Sequence, residues 1–293
     1  MMIEGCSFFN SSLFNDIIIE RLFCEERYIM TKLSVLEWNI QGAASTGWSK
    51  KSAFDNQMIL HLMNKKANII ILTEFVIIKG WDYFQEELEN NGYVWFFNQL
   101  STRNGVLIAV KEDLLGNKRS FIDKMYHKDL VYNENILSGT FKPDFLHLRF
   151  PELNVIGVRI RQTSYEDRAK QLEAVYSYIS ENKLDNLVLA GDFNHGAVRR
   201  NGDYKGLLRE KYNYQLLRKR FDGYKFLTPQ YGVYPIKDNQ YSWLQKGTNG
   251  YADIPIKEDN IILSSNINHN ETTLKYEWTN FSDHALIKVE FNM

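Results

Sequence analysis

Short apolar strand-forming runs alternate with amphipathic helical segments, and that alternation constrains this 293-residue chain more than any other feature. Residues 33–38, 68–73 and 187–190 are apolar runs with the length of buried strands. Helical spacing appears at 52–64, with Phe54, Met58, Leu62 and Met63 near one face, and again at 82–91. The second segment stops at Asn91-Gly92, a C-cap signal. Strand-like runs at 93–98, 105–111, 144–150 and 153–161 precede an amphipathic helix at 165–182, built on Ala169, Leu172, Val175, Tyr176 and Ile179. A basic helical stretch covers about 204–220. Strands are predicted again at 240–244, 260–264, 273–278 and 285–291. Such a pattern predicts mixed sheets with helices outside them.

A prior of about 150 residues per domain suggests two domains, but nothing divides this chain. It has no Pro/Gly/Ser-rich linker, and its five prolines are scattered from position 143 onward, so one domain is expected. A hydrophobic content of 44% with 24% charged residues excludes disordered, collagen-like and coiled-coil readings. The most apolar stretch, residues 69–78, is interrupted by Thr73 and Glu74 and falls far short of the roughly 20 residues of a membrane span.

The net charge of −1 is unevenly placed. Residues 1–29 set Arg21 and Arg27 against Glu4, Asp16, Glu20, Glu25 and Glu26, a net of −3, which leaves +2 for residues 30–293. Polar residues interrupt the apolar ones in this segment and its start is not basic, so it does not read as a signal peptide. Two readings stand: an extension outside the core with Met30 as the working start, or a helix packed on the domain. The two cysteines, Cys6 and Cys24, both lie in that segment. The chain therefore reads as a reduced, cytoplasmic protein whose metal ligands would be oxygen and imidazole.

Polar residues stand at the ends of the apolar strands, where α/β sheets place their sites. Asn39 ends the first run in Trp38-Asn39. Glu74 ends the second in Thr73-Glu74. Asp192 and Asn194 follow the strand at 187–190 in Gly191-Asp192-Phe193-Asn194. Asp259 opens a strand, and Asp283 with His284 opens the last one in Ser282-Asp283-His284. Each alone reads as a turn, a cap or a buried hydrogen-bonded histidine. Together they supply hard oxygen donors, one imidazole and two carboxamides, a set suited to Mg²⁺ or Mn²⁺ and unsuited to structural zinc. No Gly-rich phosphate loop with its Lys and Ser/Thr is present.

In this order and separation, these motifs resemble the endonuclease/exonuclease/phosphatase superfamily, which includes pancreatic-type deoxyribonucleases, abasic-site endonucleases, neutral sphingomyelinases, inositol-polyphosphate 5-phosphatases and deadenylases. The resemblance spans residues 33–291; Gly-Asp-Phe-Asn and Ser-Asp-His are its specific parts. It implies an α/β (α+β) four-layer α/β/β/α sandwich, two mixed sheets packed face to face with helices outside. It also implies a Mg²⁺-dependent (or Mn²⁺-dependent) phosphodiesterase. Glu74 would then be the principal metal ligand, supported by Asn39 and Asp283. Asp192 would orient or deprotonate water, and Asn194 would donate to the developing phosphorane oxygens. His284 would act on the scissile phosphate as acid or base, with Asp259 fixing its tautomer.

One position departs from the family pattern. Where many members carry Asn-x-His, this chain has Gly157-Val158-Arg159. Strand alternation puts Gly157, Arg159 and Arg161 on one face, which aims Arg159 at the site. Arginine cannot be a general base, so Arg159 is expected either as a phosphate clamp or as a buried structural ion pair. Trp243 is expected either to line the substrate groove or to fill the core.

Residues 198–225 carry nine Lys and Arg, including Arg199 and Arg200, against three acids, with five aromatics interleaved. Basic charge with aromatics beside a metal site suits a nucleic-acid backbone, so a nuclease is the leading expectation. A solvated amphipathic helix with Leu207, Leu208, Tyr212 and Leu216 inward explains part of the same stretch. Two other readings stay open: a phosphatase or phosphodiesterase on lipid, inositol or nucleotide phosphates, and an inactive binding module of the same fold.

Overall fold

The computed structural model describes residues 32–41, 53–98, 104–114, 123–126, 142–150, 153–161, 164–194, 216–228, 241–245, 254–256, 258–267 and 272–292. The extension at 1–29, Arg199, Arg200 and most of the basic stretch lie outside them.

Strands β1 (Lys32–Asn39) and β2 (Ile69–Phe75) flank helix α1 (Asn56–Met63). Helix α2 (Trp81–Asn90) leads to the hairpin-like strands β3 (Tyr93–Phe97) and β4 (Gly105–Lys111). Strands β5 (Asp123–Tyr126), β6 (Asp144–Arg149) and β7 (Asn154–Arg159) precede helix α3 (Tyr165–Glu181) and β8 (Leu187–Asp192). Then come β9 (Lys225–Phe226), β10 (Trp243–Gln245), β11 (Ile254–Ile256), β12 (Asp259–Leu263), β13 (Thr273–Glu277) and β14 (Leu286–Asn292).

Two six-stranded sheets result, ordered β13-β14-β1-β2-β4-β3 and β5-β6-β7-β8-β12-β9, beside a separate β10-β11 pair. Each large sheet has one parallel pair, β1–β2 and β7–β8, among antiparallel ones. A helix makes each parallel crossover, as parallel pairing requires. The expected mixed sheets are therefore present.

Side-chain alternation sorts the layers. Along β1, Leu33 and Val35 enter the seam between the sheets, and Leu36 and Trp38 enter the layer under α1 and α2. Along β7, Val155 enters the seam, and Ile156 and Val158 enter the layer under α3. Three apolar layers between four structural ones make an α/β/β/α sandwich. Among the described residues, no helix is long and apolar enough to cross a membrane.

Local chemistry sets the helix ends. The Asp55 carboxylate accepts from the Gln57 backbone N–H at 2.7 Å, so α1 begins at Asn56 rather than at 52. The Ser164 hydroxyl accepts from the Asp167 N–H at 3.1 Å and starts α3. Helix α2 ends at the expected Asn91-Gly92 turn, with Gly92 at φ 69°.

Three short strands escaped the pattern reading: β5, β9 and β11. The basic helical expectation is met at 216–220, the only part of it within the described residues. There Leu217 and Phe221 enter the core, and Leu216 is only half-buried. Two of the three basic side chains of this turn are engaged within the chain, and Lys219 is exposed. Arg218 lies over the Phe226 ring at 4.1 Å, and Arg220 bonds Glu173 at 2.9 Å. This part of the stretch packs the outer layer.

Gly157 marks a close approach of the two sheets. A Cβ there would lie 2.5 Å from Val106 Cγ1 and 3.1 Å from Ile71 Cγ2. Gly157→Ala is expected to cost about 1–3 kcal/mol of stability, read by urea denaturation, because a stiff valine must move in a close-packed seam.

Candidate active site

The polar residues singled out above converge at one end of the seam. The C-terminal ends of β1, β2, β7 and β8 and the N-terminal ends of β4, β6, β12 and β14 meet there, as strand registers require. In the second sheet, Asp144 stands opposite Arg159, Arg159 opposite Asp192, and Asp192 opposite Asp259. Four charged residues thus form one row across four strands. The first sheet faces this row with Asn39, Glu74, Asp283 and His284.

His284 is the best-defined member. Its Nδ1 lies 2.8 Å from Asp259 Oδ2. A carboxylate there places the proton on Nδ1 and leaves Nε2 as the reactive nitrogen. Nε2 lies 3.5 Å from Asn39 Nδ2 and 4.0 Å from Asp283 Oδ1. Burial opposes charge on the ring, but the Asp259 carboxylate outweighs it and raises the pKa well above the ordinary value. Trp38 Nε1 donates to the His284 carbonyl at 3.1 Å. Ser282 Oγ donates to the Asn39 carbonyl at 2.6 Å. The Trp-Asn and Ser-Asp-His motifs are therefore bonded to each other across β1 and β14.

Asp192 is pinned by two carboxamides. Its Oδ2 accepts from Asn39 Nδ2 at 3.1 Å and from Asn194 Nδ2 at 2.9 Å, and its Oδ1 accepts from the Asn194 backbone N–H at 2.9 Å. Burial raises its pKa to about 7, and the facing Asp259 adds to the rise. The second amide hydrogen of Asn194 goes to the Ile160 carbonyl at 2.7 Å. Asn194 sits in the left-handed region at φ 44°, held by Arg168 Nη1 donating to its carbonyl at 2.7 Å. Gly191 precedes this turn at φ +146°, where a Cβ would lie 1.8 Å from the Val158 carbonyl oxygen. Glycine is needed for β8 to lie against β7 at this point.

Glu74 owes its direction to a backbone irregularity. The β2–β4 register shifts between Thr73 and Phe75, and Glu74 adopts φ 52°. Such a bulge re-aims a side chain out of the alternating pattern. Glu74 Oε1 accepts from Arg159 Nη2 at 2.5 Å, and Oε2 accepts from Asn104 Nδ2 at 3.1 Å. Arg159 Nη1 also reaches Asp144 Oδ2 at 3.4 Å. Arg159 therefore faces the site, as alternation predicts, and in this structure it is ion-paired.

Asp283 Oδ2 accepts from Gln41 Nε2 at 2.9 Å and from Trp243 Nε1 at 3.1 Å. The Trp243 ring stacks near the His284 ring, with centroids 6.1 Å apart and planes 21° apart. Trp243 is half-buried at the site edge, so it is not a core tryptophan.

Three buried acids escaped the sequence reading: Asp144, opposite Arg159, and Glu37 and Glu258. Glu37 lies two residues before Asn39 on the same strand face, and it is fully buried. Its Oε2 has no partner among the described residues, nor has Asp259 Oδ1. Burial, followed by the charges of Asp259 and Asp192, raises the Glu37 pKa well above its ordinary value. Glu258 is buried beside Asp259, and burial with the Asp192 charge lifts it from 4.5 to about 8. The usable signals were the alternation for Glu37 and the adjacent Asp259 for Glu258.

These buried carboxylates outnumber the cations among them, a surplus that a divalent ion would offset. Among the described residues, no three His, Cys, Asp or Glu side chains form a ready-made metal cluster. Glu74, Asn39 and Asp283 are nevertheless oxygen donors of the type taken by a hard ion, which binds one or two carboxylates and keeps several waters.

A group whose pKa is raised by folding stabilises the fold below its unfolded value and loses that contribution as pH rises through its folded value. In EDTA, stability is therefore expected to fall as pH rises from about 4.5 through about 8, partly through Glu258. Glu258→Gln should flatten that loss in pH-dependent urea midpoints. An unchanged slope would show that Glu258 does not ionise in this range.

No protein-family model matches the chain, and no curated protein matches it. Solved structures do. The chain is similar to a 3′ phosphatase, NExo, from Neisseria bound to a product DNA hairpin, with 16% identity, TM-score 0.59, and coverage of 89% of this chain and 100% of that one. An AP endonuclease from Archaeoglobus fulgidus aligns at 14% identity and TM-score 0.57, over 89% of this chain and 100% of that one. A truncated TDP2 from Caenorhabditis elegans aligns at 16% identity and TM-score 0.55, over 89% and 98%. Likeness at this identity carries the architecture alone, and the chain has the DNase I-like α/β/β/α sandwich fold of these structures.

Proposed function

We propose that the protein is a divalent-metal-dependent phosphodiesterase that cleaves nucleic acid. The observation that carries this reading is the pairing of a His284–Asp259 dyad with an Asp192 carboxylate pinned by Asn39 and Asn194, all buried at one end of the sandwich. Support for a nucleic-acid substrate comes from the similar structures, which include a phosphatase bound to a DNA hairpin and an AP endonuclease.

Glu74, with Asn39 and Asp283, would hold Mg²⁺ or Mn²⁺, which when bound supplies Lewis-acid neutralisation of a phosphate oxygen. The chain's own groups do the rest. Asp192, with its pKa near neutrality, takes the proton of an attacking water. Asn39 and Asn194 hold its carboxylate in place. Both amide hydrogens of Asn194 are committed in this structure, so its role is positioning Asp192 rather than donating to the phosphorane. His284 presents Nε2 to the scissile phosphate or leaving oxygen, and Asp259 fixes its tautomer. Trp243 offers a flat face at the site edge for a base or sugar. Arg159 supplies a guanidinium to a phosphate oxygen. Arg199 and Arg200 are proposed as further phosphate contacts.

Incubation with plasmid, single-stranded DNA, RNA, a 3′-phosphorylated oligonucleotide and a chromogenic phosphodiester, with Mg²⁺, Mn²⁺ or EDTA, tests this. Cleavage is expected with metal, lost in EDTA. His284→Ala should lower kcat/KM by about 10²- to 10⁴-fold, and Asp259→Asn should lower kcat with little change in KM. Turnover of none of these nucleic acids would reject the nuclease reading.

A further inference from the structure

We propose that Arg159 is a built-in counter-cation, which competes with the divalent ion for Glu74 and gives way when substrate phosphate arrives. This rests on the placement of the ion at Glu74 proposed above.

The argument starts from what Arg159 uses and what it leaves unused. A guanidinium carries five N–H donors. Arg159 spends its short contact on Glu74 Oε1 at 2.5 Å, and its second is a long one to Asp144 Oδ2 at 3.4 Å. Its Nε is buried and without a partner among the described residues. Asp144 is meanwhile held more closely by Arg161, with Nε at 3.0 Å from Oδ1. Arg159 is thus weakly tied to its own sheet and strongly tied to the carboxylate across the seam.

Both oxygens of that carboxylate already accept a hydrogen bond, Oε2 from the neutral Asn104 amide and Oε1 from Arg159. A divalent ion on either oxygen of Glu74 lies within a few ångströms of a guanidinium of like sign, which favours its displacement. Repulsion between a double and a single charge a few ångströms apart is large even with solvent screening. Strand register favours displacement. Arg159 stands directly between Asp144 and Asp192, so it can leave Glu74 without losing every carboxylate. Its freed fork then faces the space where a phosphate would meet Asp192 and His284. The ion therefore binds weakly to the free protein, and Arg159 joins the phosphate once both are present. Coupling of this kind is reciprocal: whatever draws Arg159 from Glu74 tightens the ion.

The test is Mn²⁺ binding to the full-length chain, followed by electron paramagnetic resonance and titration calorimetry without substrate. Arg159→Gln removes the competing charge and should tighten Mn²⁺ by about tenfold, an order-of-magnitude expectation from the charge removed. Arg159→Lys keeps the charge and should stay within about threefold of the unmodified chain. Unchanged or weaker binding in Arg159→Gln, with Glu74→Gln abolishing binding, would overturn the counter-cation role alone. Glu74→Gln binding Mn²⁺ as tightly as the unmodified chain would overturn the ion's placement as well. Should Arg159→Gln not fold, the Arg159 side-chain Nε–H resonance, identified by its loss in Arg159→Lys, reports on the unmodified chain. It should shift in step with Mg²⁺ occupancy; a resonance that stays in place through saturation would overturn the proposal.

Discussion

Neutralising buried carboxylates at one end of the inter-sheet seam is the constraint on which the rest of the structure depends. Glu37, Asp144, Asp192, Glu258 and Asp259 are all buried there. Like charges placed directly opposite each other on neighbouring strands are destabilising, and Asp192 faces Asp259 in register. Relief comes from two directions. Arg159 stands within the row, and His284 reaches Asp259 from the other sheet. The contacts Arg159–Glu74, His284–Asp259 and Asn39–Asp192 all cross the seam. The two sheets are thus joined at this end by charge and hydrogen bonds and elsewhere by apolar packing. Chemistry that needs groups from both sheets is available only where they are held in this way.

Much of this was legible in the sequence, for a simple reason. Strands buried on both faces must be apolar throughout, so Asn39, Asp192 and His284, at or just beyond the ends of such strands, announce themselves. Mixed sheets with helices outside followed from the same runs, the four-layer sandwich from the family resemblance, and the inward face of β7 from strand alternation. Helix α2 was placed within one residue because Asn91-Gly92 ends it chemically. Errors fell where the pattern carries little information. Strands β9 and β11 have two and three residues, too few for a period to show. Helix α1 starts late because Asp55 caps it, a side-chain bond that outweighs the apolar spacing before it.

The partly hidden members of the site fall into two kinds. Glu37, Asp144 and Glu258 read as ordinary solvated charges until the registers are known. Only the pairing of β6 with β7 puts Asp144 beside Arg159, and a single strand does not reveal its neighbours. Asn104 and Gln41 are a second kind. They hold Glu74 and Asp283 from loop positions at 30 and 242 residues' separation. No local motif encodes such contacts. Glu74 was recognised from its motif, yet its actual aim depends on a bulge and a left-handed backbone that strict alternation does not foresee.

Arg159 stands where many members of the resembled family carry a histidine, within a strand register that holds the frame in place. The β7 strand needs a small residue at 157 to let the sheets meet, and position 159 then opens onto the polar end. A histidine at 159 would be a short, titratable group. An arginine is longer, permanently charged and able to cross the seam. Its reach makes it a partner for Glu74, and its fixed charge prevents it from leaving that carboxylate by losing a proton. The exits are another cation at Glu74 or another anion for Arg159, and the metal-dependent phosphodiester site proposed above would offer both together. On the proposed function, the same guanidinium that stabilises the resting arrangement would tie the ion and the phosphate to each other's arrival.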